Sequence, residues 1–99
     1  MEKPMLSEQE LNLILTVLSK HKDIKSAILF GSRANGKASA ESDIDLALEG
    51  IHDQLKAETV ASEFDELPLP YRFDVHALEA IKSQPLLDHI TRVGIKIYG

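Results

Sequence analysis

Apolar residues recur at helical spacing early in the chain: Leu11, Ile14, Leu15 and Leu18 fall on one face. Ser7 and Glu10 read as a capping box ahead of them, with Leu6 and Leu11 placed for a hydrophobic staple. Lys20, His21 and Lys22 suit the negative end of that helix dipole. The period then changes. Residues 24–30 form an apolar run ending Ala27-Ile28-Leu29-Phe30, which reads as a strand broken by Gly31. Residues 32–35 suit a short helical turn stopped by Gly36, and residues 37–42 a small polar loop. Residues 43–49 alternate: Ile44, Leu46 and Leu48 point to the core, and Asp43, Asp45, Ala47 and Glu49 point the other way. A second helix is expected over 52–66, with Ala57, Val60, Ala61 and Phe64 on its apolar face. Pro68 and Pro70 mark a loop before a third strand over 71–76. The spacing predicts a last helix over about 83–93, capped by Ser83 with Pro85 in its first turn. Gly94 ends it, and Ile95-Lys96-Ile97-Tyr98 alternates like a short edge strand. The order α, β, turn, β, α, β, α, β predicts an α/β or α+β domain.

The chain of 99 residues favours one domain over residues 1–99. A 43% hydrophobic and 27% charged composition is that of a globular chain, not of a disordered one. With no cysteine, disulfide staples and thiolate metal sites are excluded, and a reducing cytoplasm is the expected home. Met-Glu-Lys-Pro at the start has no signal-peptide pattern, and no apolar run approaches the ~20 residues that cross a bilayer. A net charge of −5 argues against general binding of nucleic-acid polymer. A small nucleotide neutralised by metal is compatible with it.

The chemistry concentrates in Phe30-Gly31-Ser32-Arg33-Ala34-Asn35-Gly36 and Ser42-Asp43-Ile44-Asp45-Leu46. A Gly-Ser turn between a strand and a helical turn offers unpaired backbone N–H groups to an anion. Gly31 permits close backbone approach, and the Ser32 hydroxyl adds a donor. Alone, such a pair is also an ordinary turn. Asp43 and Asp45 lie two apart on one strand face. At ~4 Å their charges repel by about 4 kcal/mol at an effective dielectric near 20. A hard divalent cation such as magnesium relieves that repulsion and keeps positions open for phosphate, and a pair of such ions can clamp both oxygens of an in-line displacement at phosphorus. The plainer reading is a solvated strand face. Asp74, between Phe73 and Val75, joins the pair if the third strand neighbours the second.

Taken together these segments resemble the polymerase-beta-type nucleotidyltransferase superfamily, and within it the minimal nucleotidyltransferase (MNT) domains. The matching residues are Phe30-Gly31-Ser32-Arg33-Ala34 with Gly36, Ser42-Asp43-Ile44-Asp45-Leu46-Ala47, and Phe73-Asp74-Val75. The resemblance runs from about Leu11 to Tyr98 and includes Gly94 before the last apolar strand. It implies a mixed sheet with helices packed on it. It implies that Gly31 and Ser32 hold the β- and γ-phosphates of ATP, with Arg33 a further phosphate contact or simply a surface arginine. It implies that Asp43 and Asp45 bind two magnesium ions, and that Asp74 binds the catalytic one and helps activate the acceptor hydroxyl. Attack then falls on the α-phosphorus and releases pyrophosphate.

Larger members carry an added acceptor domain, whereas this chain stops just past its last strand. The expectation is an acceptor on another chain. For MNT domains the resemblance implies a helical HEPN-domain toxin as hetero-oligomeric partner, silenced by AMP transfer to a tyrosine. Two other readings stay open: a nucleotide-binding module that acts on a helical partner by contact, and a stand-alone transferase for a small acceptor. His21, His52, His76 and His89 are dispersed without metal-ligand spacing and are expected to be solvated, His76 standing nearest the site. Glu49 is expected to be peripheral and Lys37 a solvated loop lysine.

Overall fold

The computed structural model describes residues 6–31 and 43–99. Three helices, α1 (Glu8–Ser19), α2 (Gln54–Asp65) and α3 (Gln84–Val93), pack on four strands, β1 (Ser26–Phe30), β2 (Ile44–Glu49), β3 (Phe73–Ala77) and β4 (Ile95–Tyr98). The sheet order is β3-β2-β1-β4. β1 runs antiparallel to both β2 and β4, and β2 runs parallel to β3. The sheet is therefore mixed. A parallel pair needs a crossover, and α2 supplies it between β2 and β3. The helical turn expected over 32–35, and Ser32, Arg33 and Gly36 with it, lie outside the described residues.

A side-chain cap starts each of the three α-helices. Ser7 and Glu10 satisfy each other's backbone N–H groups in a complete capping box. Asp53 caps α2 by accepting from Leu55 N–H, which moves the start of that helix inward from residue 52. Ser83 caps α3 with Pro85 in the first turn. A 3-10 turn, Leu78–Ala80, follows β3, an element the periodicity does not show. Lys20, His21 and Lys22 follow directly on the C-terminal end of α1. Lys20 is its C-cap, and His21 Nε2 lies 2.7 Å from Glu63 Oε2, tying α1 to α2.

The sheet has two covered faces. On one, Ile14, Val17 and Leu18 of α1 and Ala57, Val60 and Phe64 of α2 bury Ala27, Leu29, Ile44, Leu46, Leu48 and Val75. Phe64 stacks on Phe73 at 4.8 Å. The opposite face carries a smaller cluster, in which Ile90 of α3 packs with Phe30 and Ala47. Ala47, expected on the face opposite Ile44, Leu46 and Leu48, lies there and is fully buried. The outer edge of β3 is closed by a side chain. Gln54 donates from Nε2 to the Val75 carbonyl and accepts from Ala77 N–H through Oε1, as a neighbouring strand would.

Candidate active site

The acids gather on the α3 face of the sheet. Asp45 is the register partner of Asp74 across the parallel β2–β3 pair. It is also the register partner of Phe30 across the antiparallel β1–β2 pair. Phe30, Asp45 and Asp74 therefore form one row across three strands, which lie about 4.8 Å apart. Asp43, exposed just before β2, alternates with Ile44 onto the same face. Its neighbour Ile44 donates from its N–H to the Arg72 carbonyl at 2.9 Å, which extends the β2–β3 ladder to the site.

The local sequence explains the placement. Ile44, Leu46 and Leu48 are all fully buried on the face covered by α1 and α2. The strand period of two then forces Asp45 to the other side, and slipping by one residue would bury its carboxylate. Phe73 and Val75 do the same for Asp74.

Electrostatics set Asp45 apart. Its carboxyl is pushed up from 3.8 to about 6, first by burial, then by the negative charges of Asp74 and Asp43, with His76 and His89 pulling the other way. A fold that gathers acids at this cost suits a cation. Gly31, at the end of β1, has φ +79°, a conformation other residues rarely adopt. A Cβ there would collide with Asp45 Oδ2. The bare backbone of Gly31, where the expected phosphate turn begins, thus lies against the carboxylate.

The residues present fit magnesium in type, since all the expected donors are hard carboxylate oxygens. Among the described residues, no three His, Cys, Asp or Glu side chains stand together as a cage that could hold a metal ion. Magnesium requires no such cage when one or two carboxylates are completed by water and substrate phosphates.

Two histidines stand at this face, against the expectation that both are solvated. His76 Nε2 lies 3.2 Å from Asp74 Oδ2, and its ring packs on Phe30 at 5.9 Å. His89 of α3 meets Phe30 edge-on at 6.2 Å. His76 was open to discovery, because it follows Asp74 by two on one strand and shares its face. His89 gives no such signal, since only the fold lays α3 over β1. Glu49 is peripheral, accepting from Ser26 Oγ at 2.9 Å. A cleft of about 550 Å³ opens beside Pro85, Asp88, Thr91 and Arg92 of α3, and none of the three acids is among its described lining residues.

The chain is 35% identical over 72 residues to the "Probable protein adenylyltransferase MntA" of Haemophilus influenzae, a match that covers 71% of this chain and 63% of that protein. The chain thus spans less than two thirds of that relative. Its fold is similar to a crystal structure of a toxin–antitoxin with AMP-PNP, with a TM-score of 0.76 and 24% identity over 90% of this chain and 73% of that one. It is also similar to a tri-AMPylated Shewanella oneidensis HEPN toxin in complex with MNT antitoxin, with a TM-score of 0.73 and 21% identity over 95% and 73% of the two chains. The family model described as "Polymerase beta, Nucleotidyltransferase" matches residues 12–99, and the chain belongs to that family.

Proposed function

We propose that this chain is a protein adenylyltransferase of the MNT antitoxin type, which moves AMP from ATP to a tyrosine hydroxyl of a HEPN-domain toxin. The observation that supports it most is the register of Asp45 with Asp74, beside the bare backbone of Gly31. The naming of a 35% identical relative as a protein adenylyltransferase agrees with it, as does the fold's likeness to toxin–antitoxin complexes.

Each residue has a part. Gly31, with Ser32 and Arg33 beyond it, receives the β- and γ-phosphates. Asp43, Asp45 and Asp74 are the ligands for two magnesium ions. Bound magnesium supplies charge neutralisation on the triphosphate and on the developing pyrophosphate. Asp74, the most open of the row, faces the acceptor and takes the hydroxyl proton. The tyrosine oxygen forms its bond to the α-phosphorus as the bond to the bridging oxygen breaks, and pyrophosphate leaves with that electron pair. Among the described residues no helix is long and apolar enough to cross a membrane, and the lack of cysteine suits the cytoplasm as the place of reaction.

The test is incubation of the purified chain with ATP, magnesium and its HEPN partner, followed by intact-mass measurement. The expected result is a gain of whole AMP units on the partner, absent with Asp74→Ala. No gain with the wild-type chain would sink the assignment. Neutralisation of the partner by an Asp43→Ala/Asp45→Ala double variant would instead favour action by contact.

A further inference from the structure

Asp74 lies on an edge strand with 59% of its side chain exposed. The acid of Asp45, by contrast, is half-buried between β1 and β3. An exposed carboxylate samples several rotamers unless a neighbour holds it. The neighbour here is His76, whose Nε2 is 3.2 Å from Oδ2 of Asp74. The two residues alternate on one strand and so share the site face.

His76 is itself held in place. Its side chain is only 27% exposed, and its ring rests on Phe30, tilted by 49°. Phe30 is buried and also meets His89 in a T-shaped contact. The two rings of Phe30 and His76 belong to β1 and β3, with β2 between them. They meet because the β2 residue opposite His76 is Ala47, whose methyl group leaves the space open. A row of packed groups from α3 through Phe30 thus ends on the imidazole that touches Asp74.

We propose that His76 is a positioning residue for Asp74. The imidazole Nε2, 3.2 Å from Oδ2, holds that oxygen by a polar contact and leaves Oδ1 to face the acceptor. The role builds on the reading of Asp74 as the acceptor-side carboxylate. Carboxylates that work at metal sites depend on such partners, whose loss typically costs 10–100-fold in affinity or activity.

Two variants separate positioning from packing. His76→Phe keeps a ring against Phe30 and removes the donor. His76→Gln keeps an N–H of similar reach. In the AMP-transfer assay the Phe variant should lose about tenfold or more in kcat, with KM for ATP unchanged, and the Gln variant should recover most of the loss. In parallel, the carboxyl carbon resonance of Asp74 is followed by NMR on the protein without metal or nucleotide. It should move in the Phe variant and return toward the wild-type position in the Gln variant. An unmoved Asp74 resonance overturns the role. So does an unchanged kcat, a loss confined to KM, or an equal loss in both variants. A wild-type chain that transfers no AMP defeats the functional reading instead, and the Asp74 resonance then decides the positioning role by itself.

Discussion

Asp45 stands opposite Asp74 across the parallel pairing of β2 and β3, with both carboxyls on one face. Burial first, and then the charges of Asp74 and Asp43, make the Asp45 carboxyl hold its proton to about 6 instead of 3.8. Below 3.8 the folded and unfolded states are both protonated at this group. Between the two values the folded state binds more protons, so wild-type stability falls as pH rises. Above about 6 the loss is complete. Asp45→Asn should therefore gain stability over wild type as pH rises through this window, on the order of 1–2 kcal/mol after allowance for partial exposure. Urea titrations of both proteins from pH 4 to pH 7 check this. A pH-independent difference would contradict it. The same variant should lose magnesium-dependent ATP binding in calorimetry.

Gly31 is irreplaceable for two reasons that can be told apart. Its positive φ strains any side chain, and a Cβ would strike Asp45. Gly31→Ala should cost about 1–3 kcal/mol and displace the Asp45 carboxyl, weakening ATP binding. Adding Asp45→Ala removes the collision but not the backbone strain. The double variant should thus be more stable than the sum of the two single effects, a coupling read directly from a thermal double-mutant cycle.

Gln54 acts as a surrogate strand for the edge of β3, and its loss leaves the Val75 carbonyl and the Ala77 N–H without their partner. Gln54→Ala is expected to destabilise by about 1–3 kcal/mol. Native-state hydrogen exchange should report faster exchange at the Ala77 amide, while the amides of β1, paired on both sides, keep their protection relative to global unfolding.

The two sheet faces predict a separation of stability from binding. Phe64 is fully buried on the face away from the acids and stacks on Phe73. Phe64→Ala should cost about 3–5 kcal/mol. At a temperature where the variant is still folded, its affinity for magnesium–ATP should match wild type. A parallel loss of affinity would show that the faces are coupled.

Much of this architecture is legible from the chain because it rests on short-range interactions. The capping box of Ser7 and Glu10 spans three residues, and the alternation of Ile44, Leu46 and Leu48 is a property of one strand. Asp45 and Asp74 were separately visible as polar residues between apolar ones. Ala47 lies on the side of β2 that alternation predicts, but alternation does not say what covers that side. His89 was read as solvated for a similar reason: nothing near it in sequence announces Phe30.

Taken alone, the sequence determined the order of elements, the two-sidedness of β2 and the identity of the three acids, because period and capping act within a few residues. The tertiary structure decided that β3 pairs parallel with β2 in the register that sets Asp45 opposite Asp74, and that α3 covers Ala47 and meets Phe30. Those contacts join residues far apart along the chain. They are set by how α2 packs on the sheet as it carries the chain across, and by which faces the buried apolar groups must share.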